Sequence, residues 1–159
     1  MRIQTVNFVH NQILKKMCDR AKCIFCRICD NLENNEIVYS DEKVIAFHDI
    51  KPVAKTHLLI VPRVHIKNAK TLASTDKELV EHLVDVGKQL LNNSENGKLD
   101  DSLIGFHWPP LTSINHLHLH VISPASEMNL LHWLQFKPNS YWFVSATGME
   151  ANLALRSQV

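Results

Sequence analysis

The chain has 159 residues, 45% hydrophobic and 21% charged, which fits a folded domain with an ordinary core and excludes a disordered polymer. Seventeen basic side chains against sixteen acidic ones leave a formal charge of +1, so no bulk attraction to nucleic acid or anionic membrane is encoded. No apolar run reaches the length of about 18 residues that a membrane span needs.

The opening "MRIQTVNFVHNQILKKMCDR" carries Arg2, Lys15 and Lys16 and no acid before Asp19. It is weakly like a mitochondrial presequence but poor in Ser and Arg. Residues 1–22 are expected to form an N-terminal extension of a cytoplasmic or nuclear protein, with mitochondrial targeting as the alternative. All four cysteines, Cys18, Cys23, Cys26 and Cys29, fall within twelve residues. A secreted disulfide framework would spread them along the chain. Reduced thiols are expected, and Cys23-Ile24-Phe25-Cys26 has the C-x2-C spacing of a zinc site. The plainer alternative is that the thiols pack as small hydrophobes.

"VYSDEKVIAFHDI" predicts two short strands around a polar turn at Ser40–Lys43. "KTHLLIVPRVHI" predicts a buried strand that Pro62 ends or places at an edge. "TDKELVEHLVDVGKQLLNN" is the clearest helix, with Leu79, Leu83, Val86 and Leu90 at helical spacing and Thr75 with Glu78 as a capping box. "DSLIGFHW" and "INHLHLHVIS" predict strands joined by a loop at "PPLTS". "NSYWFVSA" adds a further strand or packs across the site, and Met149–Val159 has too little pattern to assign. Strands that follow one another without helical crossovers imply an antiparallel sheet and an α+β class.

Within "NHLHLHVISP" the histidines occupy every second position. On a strand this puts His116, His118 and His120 on one face and Leu117, Leu119 and Val121 on the other. The leucine face belongs in the core, so the histidine face lines something polar. Same-face neighbours roughly 6.5–7 Å apart span a phosphate, or a metal with its ligands.

His116-Leu117-His118-Leu119-His120-Val121-Ile122 resembles the signature of the histidine triad superfamily. "CIFCRI", "VIAFHDIKP", "THLLIVPRVHI" and the Leu79–Leu90 helix are similar to successive blocks of histidine triad nucleotide-binding proteins. The resemblance covers 23–124 as the domain and leaves 125–159 as a segment packing on it or at a dimer interface. It implies a histidine-triad-like fold: a five-stranded antiparallel sheet, one principal helix and a shorter N-terminal helix. It also implies a homodimer and a purine nucleotide ligand such as an AMP conjugate.

The resemblance gives His118 the nucleophile's role. A neutral imidazole held by a hydrogen bond at one nitrogen keeps a lone pair on the other, which can attack phosphorus. His120 is implied as the phosphate contact, Ser113 as a hydroxyl near the bridging atom, and His57 as a further active-site histidine. Asp49 is implied to accept ribose hydroxyls, with Ile50, Phe47 and Ile24 packing on the base. A structural zinc is implied on Cys23, Cys26, His65 and His116.

"GFHWPPLTSINHLHLHVISP" followed by "NSYWF" is more similar to the third branch of these proteins and to the aprataxin catalytic domain than to the common branch with a Gly-rich loop. Three activities follow as expectations. The first is hydrolysis of adenosine 5′-monophosphoramidate or aminoacyl-adenylate through a nucleotidyl-histidine. The second is removal of AMP from DNA 5′ ends, with Lys137, Trp133, Phe136, Tyr141 and Trp142 touching nucleic acid. The third is nucleotide binding without catalysis.

Overall fold

The computed structural model describes residues 20–156 except 96 and 111. Cys18 and the presequence-like opening lie outside the described residues. The chain divides into two compact units, Met1–Asn35 and Glu36–Val159.

In the first unit a short helix, α1 (Ile24–Cys29), follows Cys23 as its N-cap and buries Phe25, Cys26, Ile28 and Cys29. Asp30 closes the helix, its backbone N–H donating to the Cys26 carbonyl at 2.9 Å. Arg20 grips the Asp30 carboxylate at 2.8 and 3.0 Å.

The second unit is built on strands β1 (Ile37–Ser40), β2 (Val44–His48), β3 (Thr56–Pro62), β4 (Leu103–His107), β5 (Leu119–Ser123) and β6 (Phe143–Ser145). The helices α2 (Lys77–Asn92), α3 (Leu130–Gln135) and α4 (Ala146–Arg156) accompany them. The sheet order is β1-β2-β3-β5-β4-β6, and each neighbouring pair is antiparallel. The α+β class holds, but the sheet has six strands, not the five expected. The sixth comes from "NSYWFVSA", whose aromatic and β-branched residues suit a pleated, half-buried surface.

One face of the sheet carries the main core. Ala46, Leu58, Ile60, Leu119 and Val121 pack with Val80, Leu83, Val84 and Val86 of α2 and Met149 and Leu153 of α4. Gly87 allows the close approach of α2: a Cβ there would lie 2.9 Å from Val121 Cγ2 and 3.2 Å from Ile60 Cδ1. The capping box expected at Thr75 and Glu78 does not form. A 3-10 turn (Ser74–Asp76) leads into α2, and the Asp76 carboxylate accepts instead from the Ala73 backbone N–H at 2.8 Å. The opposite face holds a smaller apolar cluster of Ile122, Phe136 and Phe143. The histidines stand on this face.

Among the described residues no helix is long and apolar enough to cross a membrane.

Candidate active site

The triad does not lie wholly on a strand. β5 begins at Leu119, so His120 is in the sheet, opposite Leu59 and Gly105. His116 and His118 precede the strand. The alternation persists regardless: Leu117, Leu119 and Val121 are buried on the core side, while the three histidines, also buried, face away from it. What the alternation could not show is that the histidine face is roofed. Phe136 lies 5.6 Å from the His57 ring, 4.9 Å from His107 and 5.1 Å from His120, centroid to centroid. Phe143 stands 5.3 Å from His107.

Backbone groups settle where each ring carries its proton. His118 Nδ1–H donates to the His116 carbonyl at 2.6 Å, which leaves the lone pair on Nε2. His116 Nε2–H donates to the Pro62 carbonyl at 2.8 Å, which puts its lone pair on Nδ1. His107 Nδ1–H donates to the Trp142 carbonyl at 3.3 Å. The backbone N–H of Val53 can only donate, and it meets His57 Nδ1 at 3.3 Å. The His57 proton is therefore on Nε2, from which it is donated to His120 Nδ1 at 3.0 Å. His120 in turn carries its proton on Nε2, a buried atom with no hydrogen-bond partner among the described residues. An orphaned buried donor is costly. Here it ends the hydrogen-bonded chain from the Val53 N–H through His57 to His120.

Asp49 completes this floor, with Oδ2 3.5 Å from His57 Nε2 and Oδ1 accepting from the Lys51 backbone N–H at 2.8 Å. The ligand-type atoms of Asp49, His57 and His120 lie within 4.8 Å of one another. Because the Val53 N–H keeps the His57 proton on Nε2, His57 and His120 form a hydrogen-bonded pair with Asp49 alongside, and not a cation site.

Burial disfavours the charged imidazoles. It pushes His57 and His107 down to about 4, partly opposed at His57 by the Asp49 carboxylate and at His107 by the Trp142 carbonyl. Burial also lowers His118, and it holds His120 well below the usual histidine range, helped by the neighbouring His118, His107 and His57. The rings are thus neutral at neutral pH; the lone pairs of His57 and His120 are taken up by their hydrogen bonds, and those of His118 and His107 lie on Nε2.

A cleft of about 290 Å³ opens over this face, walled by Asp49, His57, Ser113 and His120, together with Lys51, Val53, His107, His132, Gln135 and Phe136. Four predicted residues, Asp49, His57, Ser113 and His120, therefore meet in one cleft. His118 lines an adjoining crevice of about 10 Å³ with Asn68, Thr112 and Ile114, and His107 borders both spaces. Phe47 is buried and Ile50 is 93% exposed, and neither walls the cleft. Ile24 lies on α1, in the first unit.

Sequence reasoning missed His107, His132 and Lys51. His107 sat in a segment read only as a strand, and no spacing rule linked it to the triad. His132 had a local signal: Asn129 caps α3 by accepting from the His132 backbone N–H at 2.9 Å.

The aromatic segment divides. Phe136 is inside against the histidines, and Trp142 donates its indole N–H to the Leu134 carbonyl at 2.9 Å. Trp133 is 41% and Tyr141 75% exposed, and Lys137 sits 5.6 Å over the Trp133 ring.

The zinc ligands expected from sequence are found as two pairs. On the first unit, burial and the adjacent Cys23 thiol push the Cys26 thiol up to about 12. Two such neighbouring sulfurs ionise together only beside a cation. On the second unit the His65 and His116 rings stand 4.9 Å apart. The His116–Pro62 bond is the kind of outer contact that orients a metal-ligating imidazole. Each pair has donor chemistry that suits zinc.

Residues 22–133 match the family described as "Scavenger mRNA decapping enzyme C-term binding". The adenosine 5′-monophosphoramidase HINT3 of Xenopus tropicalis is 42% identical over 125 residues, covering 78% of this chain and 82% of that protein. Aprataxin of Ciona intestinalis is 32% identical over 122 residues, 74% of this chain but only 31% of its own length. A HIT family hydrolase of Legionella pneumophila superposes with a TM-score of 0.61 at 30% identity, covering 64% of this chain and 92% of that one. The triad's backbone-held imidazoles, the antiparallel sheet under them and these likenesses agree: the chain belongs to the histidine triad superfamily.

Proposed function

We propose that this chain is a nucleotide hydrolase that cleaves AMP from a nitrogen or oxygen leaving group, with His118 as nucleophile. The observation that carries the reading is the His118 Nδ1–H bond to its own triad's carbonyl, which fixes the lone pair on Nε2. His118 Nε2 attacks the α-phosphorus of an adenosine 5′-phosphoramidate, the bond from phosphorus to the leaving nitrogen breaks, and that nitrogen takes a proton from water at the open cleft. Water then adds to phosphorus, the P–Nε2 bond breaks, and AMP leaves with the added oxygen. The His120 Nε2–H donates to a phosphoryl oxygen and is aimed by the Val53–His57 chain. Ser113 contacts the bridging atom from the cleft wall. His107, a neutral acceptor at the border of both spaces, receives the proton of the incoming water. The hydrolase assignment is supported by the relatives named adenosine 5′-monophosphoramidase.

The test pairs AMP-phosphoramidate with an adenylated DNA nick, each offered to wild type and to His118→Asn. Cleavage of the small substrate, lost in the variant, is expected. Efficient AMP release from the nick would instead favour DNA deadenylation. Phosphoramidase activity that survives the substitution would refute the assignment.

A structural zinc on Cys23, Cys26, His65 and His116 is proposed alongside, supported by the C-x2-C spacing and by the donor chemistry within each pair. When bound, it would fix the orientation of His116, two residues before the nucleophile, without taking part in the reaction. Close to one zinc per chain in protein purified without chelators is expected, and a metal-free preparation would sink the proposal.

A further inference from the structure

We propose that the mouth of the cleft is a subsite for an anionic leaving group, built by Lys51 and His132; this rests on the hydrolase reading above. α3 places His132 and Gln135 at the cleft wall, with Phe136 capping its end beside them, while Leu130 and Leu131 are 72% and 77% exposed. A helix serving only the fold turns its apolar side inward. This one buries none of its own residues: it sets a half-buried imidazole and an exposed amide at the cleft wall and leaves its leucines in water, so its cleft side offers polar groups to a ligand.

The charges there point to the sign of that ligand. Asp49 is the one carboxylate among the wall residues. Its Oδ1 is held by the Lys51 backbone N–H and its Oδ2 faces His57, so its charge is directed at the floor. Glu127, the nearest acid following β5 in sequence, is paired with Lys55 at 2.8 Å. Neither the Lys51 ammonium nor the His132 ring has an ion-pair partner among the described residues. His132 is close enough to the floor to oppose protonation of His57. The substrate's α-phosphate belongs with His118 and His120, which leaves the Lys51–His132 rim for the group that departs. A cationic rim favours a leaving group that carries a carboxylate or phosphate over a neutral one of the same shape.

The test uses two AMP phosphoramidates with the same P–N bond, one releasing aspartate and the other releasing aspartic diamide. Wild type is expected to prefer the anionic conjugate by roughly fivefold to tenfold in kcat/KM, and the preference should shrink as salt is raised. In the Lys51→Ala/His132→Gln double variant the ratio should fall to within about twofold of unity, with the neutral conjugate serving as the control for folding. Equal rates in wild type would overturn the subsite while leaving the hydrolase reading intact. A preference retained in the double variant would overturn the assignment to these residues. Cleavage of neither conjugate would overturn the hydrolase reading itself.

Discussion

Six imidazoles crowd the cleft and its adjoining crevice, and backbone atoms fix the tautomers of four of them. The carbonyls of His116, Pro62 and Trp142 take protons from His118, His116 and His107, and the Val53 N–H reverses the tautomer of His57. These tautomers put a lone pair on His118 Nε2 and an N–H on His120 Nε2, which is the division that the proposed mechanism requires. Replacing His118 with Asn should lower kcat by at least about a thousandfold, since the covalent route is lost while the cleft persists. The buried neutral histidines also set a pH dependence of stability. His57 and His107 titrate at about 4 when folded, against an ordinary value near 6.5. The unfolded chain therefore binds more protons in that interval. Their contribution is fully present above about 6.5 and is lost as pH falls toward 4. Urea unfolding at pH 7, 6 and 5 should show a steady fall in stability, and the slope should decrease in His107→Gln. A flat profile would mean that these rings are hydrated.

The site depends on elements that close tightly on one another. Gly105 of β4 lies between His120 of β5 and Ser145 of β6. A Cβ there would stand 2.4 Å from the Val144 carbonyl oxygen and 2.6 Å from the Phe143 ring. Gly105→Ala should push β6 outward, loosen the Trp142 bond to His107, and cost roughly 1–3 kcal/mol. Thermal unfolding with activity measured in parallel checks this, and an unchanged Tm would contradict it.

The turn between β1 and β2 is pinned just as locally. Burial tends to raise the Asp41 carboxyl, but the N–H groups of Val44 and Lys43, His82 and Tyr39 together hold it down to about 2. Asp41→Asn should destabilise by about 1–2 kcal/mol, with the loss read by denaturant midpoint.

How legible these elements were depended on whether their signals were local. The β1–β2 hairpin around its polar turn, α2 and the apolar side of β5 follow from turn residues, helical spacing and alternation, which a sequence displays directly. Met149 and Leu153 of α4 lie one turn apart and both are buried, yet two apolar residues are too few to announce a helix. Asp49, His57, Ser113 and His120 were found through likeness to known blocks. The meeting of His107 with Phe136 was not readable, because strand pairing and the packing of α3 bring them together across 28 intervening positions.

At the scale of the whole molecule, a formal charge of +1 coexists with a cleft whose mouth is basic. Under the proposed subsite, selectivity would be carried by this local field and not by the surface at large, which suits a small anionic substrate better than a polyanion. Of the aromatic residues offered for nucleic-acid stacking, Phe136 is committed to the histidines and Trp142 to the Leu134 carbonyl. Release of AMP from an adenylated nick should therefore be much slower than from a small phosphoramidate.

The central claim is that His118 Nε2 becomes covalently bonded to phosphorus. The most direct measurement is rapid acid-free quenching of the enzyme with AMP-phosphoramidate labelled in the α-phosphate, followed by peptide mapping. Label is expected on the peptide containing His118, formed faster than the steady-state turnover and absent from His118→Asn. Label on another residue, or full turnover in the variant, would contradict it.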